Sequence, residues 1–60
     1  SPPFPDYETL NVREVRDRLH GVDHLGLLRL RHFEAAHKNR KTILDAVDRE
    51  FEHRARIAGA

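Results

Sequence analysis

The chain has 60 residues, a net charge of +1 and no cysteine, which limits it to one small domain without disulfides or thiolate metal sites. Charged residues of both signs make up 35% of the chain, so its overall charge provides no general attraction to nucleic acid or anionic membranes. No apolar run approaches the roughly 20 residues needed to cross a bilayer, and the lack of cysteine predicts a reducing, cytoplasmic compartment.

Residues 1–10 are predicted to form an extended, proline-rich arm that is not helical. Three prolines within the first five residues fix their own backbone angles and push the residues before them into extended geometry. Such a start is typical of the end of a linker, so we expect the chain to belong to a longer protein. Phe4 and Tyr7 can lie on a helical surface, or the arm can be a frayed tail, and the sequence leaves both readings open.

The first helix is predicted over residues 12–20. Asn11 and Glu14 have the spacing of a capping box, in which each side chain accepts a hydrogen bond from the other residue's backbone. Gly21 is expected to end this helix in a left-handed conformation. The apolar face of the helix consists of Val12, Val15 and Leu19.

The second helix is predicted over residues 24–38, with Asp23 as its capping residue. Its apolar arc is so broad that we expect this helix to lie at the centre of the domain. Gly26, in the first turn, predicts either a close neighbouring helix or a loose turn. Asn39 predicts the end of the helix because asparagine tolerates a left-handed conformation; one continuous helix through this point is the alternative.

The last helix is predicted over residues 41–57, where Ile43, Val47 and Phe51 repeat every four residues. Each of the three helices has an apolar stripe that must be buried against the others. The sequence therefore predicts an all-α fold, a small three-helix bundle, with residues 11–58 as an interaction domain behind the arm.

No pattern in the sequence predicts an active site. The only serine is Ser1, and the carboxylates are spread over helical faces where arginines can pair with them. A bundle of this size also has little interior in which to shift a carboxyl pKa. His32 and His37 are five residues apart, whereas zinc-binding helices place their histidines four apart. We therefore expect no enzyme activity, no catalytic residue, no metal and no cofactor.

Charge is distributed unevenly along the chain. Residues 29–41 contain one acid, Glu34, and five cations that we call the basic turn: Arg29, Arg31, Lys38, Arg40 and Lys41. An acidic strip follows on the last helix, at Asp45, Asp48, Glu50 and Glu52. We predict that the basic turn binds a partner, together with Tyr7 and Phe4 from the arm. Otherwise the two strips are solvated, or meet each other across an intermolecular contact.

Several motifs follow one another in a recognisable order: PFPDYETLNV at residues 3–12, Arg18-Leu19 at the end of a short helix, Phe33-Glu34, and RKTIL at residues 40–44. In this order, over about residues 3 to 52, the chain resembles a small helical domain at the C-terminal ends of actinobacterial proteins, some of them described as lipid-droplet-associated. It departs from that pattern at Gly26, where a helix-former is expected. The resemblance implies an appended targeting or adaptor module and carries no catalytic motif.

A weaker resemblance, limited to about the first 20 residues, links the chain to the N-terminal domain of transcription-termination factor Rho and to SAP-like modules. That similarity implies contact with DNA or RNA. Our prediction is a non-enzymatic module that binds another protein or a macromolecular assembly, and a small nucleic-acid-binding domain is the alternative. Membrane binding is disfavoured by the acidic last helix, and self-association stays open.

Overall fold

The computed structural model describes residues 6–59, which form an all-α bundle of three helices. The helices are α1 (Val12–Arg18), α2 (His24–Ala36) and α3 (Lys41–Gly59), and short 3-10 turns lie at Tyr7–Thr9 and Leu19–Gly21. The predicted small three-helix bundle is confirmed. Across residues 6–59, no helix is both long enough and apolar enough to span a bilayer.

The start of α1 follows the prediction and its end does not. Asn11 Oδ1 accepts a hydrogen bond from the Glu14 backbone N–H at 2.8 Å, and Glu14 Oε1 accepts one from the Asn11 N–H at 3.0 Å. The predicted left-handed Gly21 is wrong, because no described glycine has a positive φ. The chain instead tightens into a 3-10 turn, and Arg54 donates hydrogen bonds to the carbonyls of Leu19 and Val22. These contacts, together with the Val22 N–H that donates to the Leu19 carbonyl at 3.2 Å, hold the turn without a left-handed residue.

The start of α2 explains why a glycine stands in its first turn. Asp23 caps the helix as predicted, since its Oδ1 accepts a hydrogen bond from the Gly26 N–H at 2.7 Å. A Cβ atom at Gly26 would lie 2.8 Å from that same Oδ1 and 2.7 Å from Val22 Cγ1. Neither a neighbouring helix nor a loose turn is involved, because the capping carboxylate itself occupies the space.

Asn39 separates α2 from α3. Its φ of 49° lies in the left-handed region, and its N–H donates a hydrogen bond to the Glu34 carbonyl at 2.6 Å. The predicted break is therefore confirmed, although α2 ends at Ala36, two residues earlier than expected.

The helix at the centre of the bundle is α3, which packs against both α1 and α2. The prediction that α2 is central is wrong. Helix α2 buries a single stripe, at Leu27, Leu30 and Glu34, and leaves Leu25 and Leu28 exposed. Among residues 6–59, the buried apolar side chains that form the core are Tyr7, Leu10, Val15, Leu19, Leu27, Leu30, Ile43 and Val47.

The left-handed backbone at Asn39 makes a direct prediction. A left-handed residue with a Cβ costs roughly 1–2 kcal/mol, and the short polar side chain of asparagine offsets part of this cost. Asn39→Ala loses that offset, whereas Asn39→Gly removes the Cβ and the cost with it. We expect the alanine variant to melt lower by about 4–8 °C per kcal/mol lost and the glycine variant to match the parent. Thermal unfolding followed by circular dichroism measures both, and equal melting temperatures for the two variants would contradict the assignment.

Candidate functional site

A buried carboxylate joins the N-terminal arm to the turn between α2 and α3. The Glu34 side chain has no exposed surface. Its Oε1 accepts hydrogen bonds from the Tyr7 hydroxyl and from Arg40 Nη2, the latter at 3.0 Å. Its Oε2 accepts from the Arg40 backbone N–H at 2.8 Å and from Arg40 Nε at 3.1 Å. We call Tyr7, Glu34 and Arg40 the arm clamp.

Burial and hydrogen bonding settle the charges of the arm clamp. Burial and the Glu34 hydrogen bond raise the pKa of Tyr7 from 10.0 to about 12. Burial also acts to raise the pKa of Glu34, but hydrogen bonds from Arg40 and Tyr7 outweigh it and leave this pKa below its ordinary value. At neutral pH, therefore, Glu34 and Arg40 form a charged pair, and the Glu34 carboxylate accepts a hydrogen bond from the neutral Tyr7 hydroxyl. The sequence predicted that the carboxylates lie on exposed helical faces, which is wrong for Glu34 and for Glu50 on α3, since both are buried.

The arm is folded where the sequence predicted extended chain. Residues 7–9 form a 3-10 turn in which the Thr9 N–H donates to the Asp6 carbonyl at 3.1 Å. The prediction of a non-helical arm is wrong here because the prolines restrict only the residues before Asp6. Tyr7 is fully buried and packs edge-on against Phe33, with ring centroids 5.4 Å apart.

Tyr7 must therefore be removed from the predicted contact surface, since a buried side chain cannot meet a partner while the arm is folded. Phe4, which was predicted to act with it, lies outside the described residues.

Three cations of the basic turn make contacts within the chain. Arg40 belongs to the arm clamp, and its side chain is only 20% exposed. Arg31 pairs with Asp48 of α3 through bonds of 2.8 and 3.3 Å. Lys38 Nζ donates to the Glu8 carbonyl at 2.6 Å. The predicted basic and acidic strips thus meet inside one molecule through the Arg31–Asp48 pair.

The two other cations of the basic turn, Arg29 and Lys41, are exposed. They lie at the middle of α2 and at the first residue of α3, so the structure does not gather the five cations into one open patch. The prediction that Arg29 and Lys41 contact a partner stays a prediction.

A second carboxylate, Glu50, is 7% exposed and closes the far end of the bundle. Arg54, four residues later on α3, donates to it through Nε at 2.8 Å, and His20 Nδ1 lies 2.8 Å from its other oxygen. The Arg54 hydrogen bond holds the pKa of Glu50 below its ordinary value despite burial.

Glu50 borders an open groove between α1 and α3 whose lining includes Arg13, Asp17, Asp45 and Arg49. Because the lining mixes both signs of charge, the groove favours neither anions nor cations. Among residues 6–59, no three histidine, aspartate or glutamate side chains are arranged to hold a metal ion.

The outward side of α2 carries apolar side chains. Leu25 is 56% exposed and Leu28 is 47% exposed, and residues three and four apart on a helix share one face. We call this surface the α2 outer face; its exposed members are Leu25, Leu28, Arg29, His32 and Ala36. The only acid within α2 is the buried Glu34, so all the charge that α2 itself places on this side is basic.

Comparison with known proteins adds no assignment. No family model matches the chain, and no curated protein or solved structure matches it either. The resemblance to the actinobacterial domain therefore stays a prediction. A function for the chain has to be argued from its two distinctive features, the arm clamp and the α2 outer face.

The raised pKa of Tyr7 can be measured directly because it is the only tyrosine in the chain. A raised folded-state pKa contributes stability that is complete below pH 10.0 and is lost as the pH rises towards about 12. We expect the tyrosinate absorbance of the folded protein to appear with a midpoint near 12, and that of the urea-unfolded chain near 10. A midpoint near 10 with the helical circular dichroism intact would show that the clamp is open.

We expect the buried Glu34–Arg40 pair of the arm clamp to contribute more to stability than the half-exposed Arg31–Asp48 pair. Removing one partner of a buried pair is costly, so we expect a double-mutant cycle with Glu34→Gln and Arg40→Met to give a coupling energy of about 1–3 kcal/mol. The half-exposed pair is the matched control: Arg31→Met with Asp48→Asn should couple by less than about 1 kcal/mol. Urea titrations in sucrose, which favours the folded state, measure all the variants. Equal coupling in the two cycles would refute the ranking.

Proposed function

We propose that the chain is a non-enzymatic protein-interaction module of a larger protein, and that the α2 outer face is its contact surface. The observation that carries the proposal is the exposure of Leu25 and Leu28, side by side on a helix whose opposite stripe is buried. A domain this small is short of apolar residues for its core. Apolar side chains at three- and four-residue spacing on one open helical face are the anchors by which helices dock into each other.

This proposal moves the contact surface away from the basic turn that the sequence suggested. Arg31, Lys38 and Arg40 make contacts inside the chain, so a partner would have to compete with those contacts. Arg29 belongs to both surfaces, because it is exposed beside Leu25 and Leu28. Because these three cations have partners within the chain, the support for nucleic-acid binding is weaker, since such binding needs several arginines or lysines free to contact phosphates.

Two properties of the buried carboxylates support a binding role over catalysis. A general acid or base needs a pKa near the working pH and access to the substrate. The pKa values of Glu34 and Glu50 are both lowered, and their oxygens are engaged by arginine side chains. An adaptor or targeting role and a cytoplasmic location belong to the same proposal, and they rest on the sequence and on the resemblance.

The proposal is tested by site-specific crosslinking in cells of the source organism. A photo-crosslinking amino acid at Leu28 should capture a protein that the same group at Ile57 does not, since Ile57 is 69% exposed but lies on α3. The captured protein is then purified, and its dissociation constant with the chain is measured by calorimetry.

Two glutamine variants complete this test, because glutamine keeps the helix propensity of leucine. Fully burying a leucine contributes roughly 1.5–3 kcal/mol, and each of these two is about half exposed. We expect Leu25→Gln/Leu28→Gln to weaken binding at least about tenfold with little change in melting temperature. The matched control, Ile57→Gln, should bind like the parent. Binding that survives the double substitution would refute the α2 outer face as the contact surface.

A further inference from the structure

We infer that the partner of the α2 outer face is an amphipathic helix whose apolar side is flanked by acidic residues. The inference rests on the proposed function and adds the chemistry of the partner. Leu25 and Leu28 provide the apolar contact, and Arg29 stands next to them on the same exposed side of the helix.

Within α2, no exposed acid lies beside the two leucines. Glu34, the only acid of α2, is buried in the arm clamp. Two acids on other segments have partners of their own: Asp23 caps the start of α2, and Asp48 pairs with Arg31. Arg29 therefore lies beside an apolar ridge without an acidic side chain on that ridge. A partner with acidic flanks would complement this charge, whereas basic flanks would be repelled.

The geometry of α2 fits a single helix better than a broad surface. The helix has 13 residues, which corresponds to a length of about 20 Å. Its exposed leucines are three residues apart, so they match a partner with apolar residues at three- and four-residue spacing. A standard interface needs about 800 Å² from each partner, about a fifth of the 4344 Å² that the chain exposes. A contact along one helix is smaller, so we expect weak, exchangeable binding.

A second copy of the chain is a poorer occupant. Pairing two α2 outer faces would place two copies of Arg29 in one contact, with no acid from either outer face to pair with them. Like charges across a contact suppress pairing. An anionic membrane is also a poorer occupant, because Phe33 and Phe51 pack against the core and the outer face has no aromatic residue to insert at the lipid interface.

The probe for this inference is a displayed library of helical peptides of about 18 residues, a length that supports a helix in water. The peptides carry leucines at three- and four-residue spacing, and their flanking positions vary among aspartate, lysine and serine. The library is selected, in separate experiments, for binding to the parent chain, to Leu25→Gln/Leu28→Gln and to Arg29→Glu. We expect aspartate flanks to be enriched on the parent, enrichment to vanish on the leucine variant, and lysine flanks to replace aspartate on Arg29→Glu.

The outcomes separate the inference from the proposed function. Peptides that need the leucines but show serine or lysine flanks would overturn the acidic partner and leave the protein-binding role intact. Peptides that ignore the leucines would overturn both.

Two further measurements address the other occupants. If phosphatidylglycerol vesicles bind the parent but not the leucine variant, the partner is a membrane and the inference is wrong. If the parent sediments as a dimer and Leu25→Gln/Leu28→Gln sediments as a monomer, the partner is a second copy of the chain and the inference is again wrong. A monomer that ignores the vesicles and selects aspartate-flanked peptides supports the inference.

Discussion

A buried ion pair organises the half of the bundle that holds the arm. Glu34 lies on the inner stripe of α2, where a hydrophobic residue would ordinarily be found, and an unpaired carboxylate there would be very unfavourable. Its four hydrogen bonds come from Arg40 and Tyr7, so the first residue of the 3-10 turn and the residue before α3 must both sit against α2. The turn at Asn39 and the position of the arm follow from this requirement.

Local signals were readable in the sequence because they depend on a few neighbouring residues. The Asn11 capping box, the Asp23 cap and the break at Asn39 each involve residues within a few positions of one another, and the three helices were predicted within about two residues at their ends. The end of α1 was not predictable in this way. The 3-10 turn that follows α1 receives hydrogen bonds from Arg54, more than thirty residues away in the chain, and no local pattern indicates such a partner.

The candidate site was less predictable, since composition does not reveal which side of a helix faces inward. The leucines of α2 indicated a helix surrounded by the core, yet only Leu27 and Leu30 are buried. Spacing did contain a usable signal: Glu34 follows Leu27 by seven residues and Leu30 by four, which places it on their stripe. Read that way, Glu34 would have been predicted as buried and in need of a cation. One cation of the basic turn would then have been assigned to Glu34, and fewer would have been predicted to be free for a partner.

The way the arm is attached has a consequence for sequence variation. Lys38 and Arg40 reach across to the main-chain oxygens of Glu8 and Leu10, and every amino acid supplies such an oxygen. These two anchors therefore place no demand on the side chain at position 8, which points to solvent. Divergent versions of this polypeptide can alter that position freely while keeping the arm in place, provided that long cationic residues persist at 38 and 40. The constraint falls on the two cationic side chains, and position 8 is left free to change.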